Sequence, residues 1–204
     1  MKYRALSLAL LVSAPFAVGA VGLSPRALFE GPRSAEASVA VLISLGDLVA
    51  ASTYVVVATA SEQRSVWEET PSGRRIVTYT RLVVDRSVTG PAEKELWVRT
   101  LGGVVEKIGQ AVSGEAQLVT GTRSLLFLAR MDAGLVVTAR AQGHYPVEAD
   151  QAPEASPRLR GSPDAGMLLA RRGPTISARE HLVGLTLDEA VVAVQAAHRA
   201  AHAK

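Results

Sequence analysis

From Ala5 to Pro25 the chain carries no charged residue, and this run is preceded by Lys2 and Arg4. A short cationic start followed by an apolar stretch has the form of a secretory signal. Small residues offer cleavage after Gly19, after Gly22 or after Ala37. The run approaches the ~20 residues of a membrane helix, so an uncleaved anchor is the competing reading. Pro15 and several Gly, Ser and Ala residues dilute it, and removal during export is the expectation. The segment 1–37 is read as a signal peptide with a pro-like lead.

Beyond it the apolar pattern is that of strands. Ser44 followed by Asp47 and Leu48-Val49-Ala50 predicts a short capped helix. Tyr54 to Ala60 reads as a strand buried on both faces. After the Pro71-Ser72-Gly73 turn, Arg75 to Val88 is the longest strand signal. Ile76, Thr78, Thr80, Leu82 and Val84 fall on one face of it, and Val77, Tyr79, Arg81 and Val83 on the other. Glu95 to Thr100, Ser124 to Ala129, Leu135 to Ala141 and a short piece at Tyr145-Pro146-Val147 complete the set. Five or six strands at these spacings predict a mainly β domain over 38–147, a small closed or partly open barrel.

Between two of these strands lies a glycine-spaced stretch from Leu101 to Gly121. The composition then shifts to Pro, Ala, Gly and Arg, so 148–178 reads as a mostly irregular connector, with Met167-Leu168-Leu169 docking on the barrel. Residues 179–204 form the last segment. There Thr186 caps a helix that opens with Asp188 and Glu189 and carries Leu187, Val191, Val194, His198 and Ala201 on one stripe.

Charge narrows the functional classes. Of 22 Lys and Arg and 19 Asp and Glu, the first 37 residues hold four and two. The remaining chain has 18 cations against 17 anions, a net charge of +1. No basic stripe remains to neutralise phosphates, so nucleic acid is not expected as a partner. The chain has no cysteine, which excludes disulfides and lipid-modified cysteine. About 167 residues suffice to bury a core without covalent staples.

Catalytic chemistry finds little to hold. His198 and His202 are four apart, a spacing able to share a zinc ion, but the solvated end of a helix is the preferred account of them, because cations favour that end. His144 and His181 belong to no motif, and Ser113-Gly114 lacks a nucleophile elbow. Trp67 and Trp97 are either stacking platforms or packing residues, and packing is the more common use. No cofactor, no metal and no catalytic residue is therefore assigned.

The order of elements carries a resemblance. Tyr54-Val-Val-Val-Ala-Thr-Ala, a threonine-rich strand ending in Val88-Thr-Gly-Pro, Trp97-Val-Arg-Thr-Leu-Gly-Gly, Val112-Ser-Gly-Glu and Gly121-Thr-Arg-Ser-Leu-Leu-Phe-Leu follow one another. This resembles a group of exported, uncharacterised bacterial proteins over about residues 39–147. More distantly it is similar to the netrin-type, OB-like barrel of tissue inhibitors of metalloproteinases. The resemblance implies a fold and an exported setting. Those inhibitors grip a catalytic zinc through an amino-terminal cysteine, which this chain lacks, so their mechanism is not implied.

The expected function is a non-catalytic binding or interaction module of the cell envelope. Its partner is an unidentified protein or envelope component, and the membrane is involved only if the amino-terminal segment stays uncleaved. The alternative is an extracytoplasmic hydrolase whose site is assembled from scattered residues. If a surface is functional, the 101–121 loop is the place. Gly102, Gly103 and Gly114 allow close main-chain approach, and Gln110 and Ser113 supply hydrogen-bonding side chains. The competing reading makes this loop a scaffold, pinned by Val104, Val105, Ile108 and Val112, with glycines that serve only its turns.

Overall fold

A computed structural model describes residues 39–71, 73–148, 156–170 and 175–203. The apolar amino-terminal run lies outside them. The strands are β1 (Val39–Val41), β2 (Tyr54–Thr70), β3 (Gly73–Thr89), β4 (Glu95–Leu101), β5 (Gly103–Val105), β6 (Ile108–Gln110), β7 (Arg123–Met131), β8 (Gly134–Val137), β9 (His144–Glu148), β10 (Arg158–Leu159) and β11 (Met167–Leu169). The helices are α1 (Leu45–Ala50), α2 (Ala178–Leu182) and α3 (Leu187–His202). The protein is mainly β.

Seven strands form one sheet in the order β10-β9-β7-β2-β3-β4-β8, and β7 pairs with β8 as well as with β2. The strands β2, β3, β4, β8 and β7 therefore close into a ring. All of its seams are antiparallel except that between β4 and β8, a parallel contact with the single register pair Val98↔Leu135. β3 lies between β2 and β4, as expected for a strand apolar on both faces.

The two faces of β2 and β7 bury two cores. Inside the ring, Tyr54, Val56, Ala58 and Ala60 pack with Leu82, Leu96, Val98, Leu126, Leu128, Leu135 and Val137, and Ala116, Leu118, Ala141 and Ala165 join them. On the outer face, Val55, Val57, Leu125 and Phe127 meet Leu48, Val49, Tyr145, Leu182, Val191 and Val194. Alternation along β2 and β7 thus feeds both cores, which is why Tyr54–Ala58 and Ser124–Leu128 are buried without interruption.

The helices are placed by their caps. Ser44 Oγ accepts from the Asp47 amide at 3.1 Å at the start of α1. Thr186 and Glu189 form a reciprocal capping box on α3, which buries Ala190, Val191 and Val194. Ser177 and Glu180 do the same for α2.

Four regions differ from the sequence expectation. β2 continues past Ala60 to Thr70, so β2 and β3 make a hairpin 17 residues long on each side, with an irregularity between Ala60 and Glu62. The polar stretch Ser61–Thr70 carries no apolar period, and its partner strand alone extends it. β8 stops at Val137, because Ala139 and Arg140 take positive φ of 52° and 56° and lead into a 3-10 turn. Within the expected connector, β10 pairs with β9, and β11 runs parallel to β1 with Val39↔Met167 and Val41↔Leu169. The glycine stretch, finally, opens with the β5–β6 hairpin, turning at Glu106 with φ 56°.

A cavity beneath the 101–121 segment

The inward face of the long hairpin changes character where β2 leaves β7. Ala60 and Leu82 still belong to the ring core. Beyond them the cross-strand rows become Gln63–Thr80–Val98 and Ser65–Thr78–Thr100. Thr78, Thr80 and Thr100 are buried, and buried hydroxyls need partners. Thr80 Oγ1 accepts from Gln63 Nε2 at 3.2 Å, Thr78 Oγ1 donates to the Gly102 carbonyl at 2.7 Å, and Ser65 Oγ lies 2.9 Å from Thr78 Oγ1. Gln63 Nε2 also reaches the Leu118 carbonyl.

The segment after β4 folds over these rows and leaves a cavity of about 730 Å³. Gln63, Ser65, Thr78 and Thr100 form one wall. Gly102 to Val104 with Gly109 to Val112 form a second, and Glu115 to Thr120 a third. The β5–β6 hairpin is tied down where Gln110 Oε1 accepts from the Ile76 amide at 2.6 Å.

Two glycines are required by contact as well as by dihedral. A Cβ on Gly102 (φ +90°) would stand 2.6 Å from the Gln110 carbonyl oxygen. One on Gly103 (φ +133°) would stand 2.5 Å from Ser65 Oγ and would also strike Thr78 Oγ1.

Of the five residues singled out in the sequence, Gly102, Gly103 and Gln110 line the cavity, whereas Ser113 and Gly114 do not. Ser113 is exposed. Gly114 (φ +75°) uses its carbonyl to accept from the Ala141 amide at 3.1 Å. Both the binding and the scaffold reading of the loop thus have a physical basis, in different atoms.

Sequence reasoning missed Gln63, Ser65, Thr78, Thr100 and Glu115. A signal existed for one of them: Thr78, with its neighbour Thr80, interrupts an apolar face between Ile76 and Leu82, and hydroxyls on an inward face mark a polar lining. Glu115 is the sole ionisable side chain on the wall. It is buried, and burial pushes its carboxyl up from the usual range. A hydrogen bond from the Leu101 backbone, then the Arg140 and Arg99 charges, oppose that shift. Arg140 Nε stands 3.9 Å away.

Behind this wall is a charge cluster. Glu68 Oε2 accepts from Arg75 Nε at 3.0 Å and also from Arg99 Nη2. These hydrogen bonds, with that from Arg99 foremost, hold the Glu68 carboxyl below its usual range. Arg99 is buried, and its Nε has no partner among the described residues.

The other sequence candidates lie elsewhere. Trp97 is 46 % exposed on the outer face, and Arg74 stacks 4.9 Å above the Trp67 ring. His202 and His198 stack on each other with centroids 4.1 Å apart, and His202 Nδ1 lies 2.8 Å from the His198 carbonyl. Among the described residues no group of three or more potential ligands could hold a metal ion, and no helix is long and apolar enough to cross a membrane. His144 Nε2 sits 3.1 Å from Ser124 Oγ, but both residues are buried and neither lines the cavity.

Comparison of the chain with protein families, with curated proteins and with solved structures finds no match. What the cavity can do follows from its wall alone. Amide, hydroxyl and main-chain groups offer hydrogen bonds of both senses, and one carboxyl is held towards its neutral form.

Proposed function

We propose that the protein is an exported, non-catalytic binding module of the cell envelope, and that it holds its ligand in the cavity under the 101–121 segment. The carrying observation is the coincidence of that long glycine-rich segment with a cavity of about 730 Å³, within the range of small-ligand and side-chain sites. The ring of five strands supports the reading of an OB-like barrel, with the cavity at one end of its interior. The charged start and apolar run of residues 1–25 support export, with removal of the leader.

Capture from native envelope tests the binding role. Val119 lines the cavity yet is 63 % exposed, so Val119→Arg obstructs the cavity without disturbing either core. Loss of the captured component with an unchanged melting temperature supports the site. Undiminished capture removes the cavity from the account. Mass spectrometry of envelope protein tests export, and an intact Met1-containing species held in the membrane would replace the signal by an anchor.

A further inference from the structure

The cavity lies beside a strand edge that no strand among the described residues pairs. β2 pairs with β3 along its whole length, but with β7 only over Tyr54–Thr59. The Ala60 amide and carbonyl still bond Thr122 and Gly121, and Gln63 is held to Leu118 by its side chain. From Arg64 to Thr70, no strand among the described residues lies on that side of β2. Ladder alternation turns the amide and carbonyl of every second residue outward there. Such an edge is a template for another chain, and proteins usually blunt it with charge.

Here the charges are cancelled in pairs with one exception. Glu62 stands 3.7 Å from Arg81, Glu68 bonds Arg75 and Arg99, and Glu69 stands 2.9 Å from Arg74. Arg64 is exposed and makes no ion pair among the described residues. Its neighbour Ser65 points to the opposite face and lines the cavity. Beside the edge, the one carboxyl of the cavity already faces Arg140, so uncharged side chains suit that side.

We infer that the ligand is an extended polypeptide segment, added as a strand beside Arg64–Thr70, with an acidic side chain opposite Arg64 and the small uncharged side chains on either side of it turned towards Gln63, Ser65 and the cavity. This rests on the reading of the cavity as the binding site and names what fills it. Main-chain pairing supplies affinity in this mode, and the alternate side chains supply choice. Seven residues of edge span about 23 Å at roughly 3.3 Å each, enough for a segment of five to seven residues.

The test is selection of a random decapeptide display library on the full chain, followed by fluorescence anisotropy of the recovered peptides. The expected peptides carry Asp or Glu flanked at alternate positions by Ser, Thr, Ala or Val. Arg64→Glu should weaken them about tenfold, the scale of one charge-assisted contact. Peptides with that acid changed to Lys should regain the loss on the Arg64→Glu protein. N-methylation of alternate peptide amides should abolish binding, and Val119→Arg should weaken it. Recovery of no binding peptide, or binding indifferent to N-methylation and to Arg64→Glu, overturns the inference. So does sedimentation showing that the β2 edge is closed by a second copy. Envelope capture separates the two levels. A component lost with Val119→Arg but kept with Arg64→Glu, together with failed peptide selection, discards the strand and leaves the cavity standing. A component kept with both variants discards both.

Discussion

Gly102 and Gly121 make a matched pair for asking whether the loop glycines serve only their turns. Their φ values are +90° and +84°, so an alanine at either meets nearly the same backbone penalty. A left-handed conformation costs a non-glycine residue about 1–2 kcal/mol, offset by roughly 0.4–1 kcal/mol of lost freedom in the unfolded chain. Gly121→Ala has nothing within 4 Å of its new methyl and should cost about 1.6 kcal/mol or less on that reckoning. Gly102→Ala places the methyl 2.6 Å from the Gln110 carbonyl oxygen, a main-chain atom that moves only if the β5–β6 hairpin moves with it. Overpacking of this kind adds about 1–3 kcal/mol. Urea unfolding should therefore separate the two variants by roughly 0.5–2 M in midpoint, taking a slope near 1.5–2 kcal/mol/M. Gly102→Ala should also lose the envelope component while Gly121→Ala keeps it, because only the former shifts the cavity wall. Equal midpoints for the two alanines would refute the packing argument and return Gly102 to a simple turn residue.

Two buried groups should give opposite pH slopes. His144 is held neutral by burial, which lowers its pKa from 6.5 to about 4. Its stabilising contribution is complete above 6.5 and lost as pH falls towards 4, about 3 kcal/mol for a shift of this size. His144→Leu should flatten thermal melts over that window. Glu115 is raised by burial, so the folded state favours its proton and stability declines as pH rises past the ordinary carboxylate range. Glu115→Gln, which keeps an acceptor for the Leu101 amide, should melt higher than the parent at pH 7 and converge with it in acid. Leu82, fully buried within the ring, should not tolerate Asp: an unpaired buried carboxylate costs several kcal/mol, comparable with total stability. Circular dichroism should show Leu82→Asp unfolded, whereas Arg81→Gln, losing only solvent-screened ion pairs to Glu62 and Glu95, should leave the melt nearly unchanged.

How much of this was legible depends on where burial and period coincide. β3 announces itself because Ile76 and Leu82 on one face and Val77 on the other are all fully buried, and the strand is central. Thr186 and Glu189 announce α3 through a capping box that is local in sequence. Ser61–Thr70 is silent because ion pairs and half-exposed side chains hold it, not an apolar stripe. β10 and β11 are two and three residues long, shorter than any period can register. The cavity was half legible. Gly102, Gly103 and Gln110 drew attention through loop length and glycine content, but Ser65, Thr100 and Glu115 meet them only through pairings between distant parts of the chain. The buried Arg99 beside Glu68 joins residues 31 apart, and its surroundings are fixed by strand register alone.

The ring has one weak link, and its position matters. Four seams are ladders of several pairs; the fifth is the single pair Val98↔Leu135. Opening there parts β4 from β8 and wets Leu96, Val98 and Leu135 while the core behind β2 and β7, clamped by the helices, stays dry. Slow breathing of this kind sets a floor on amide protection that differs across the molecule. The Leu135 amide, which faces β4 across that seam, should exchange deuterium well before those of Val55 and Phe127. A protease that reads extended chain would meet β8 first, and the helix-backed half would outlast it as a folded remnant.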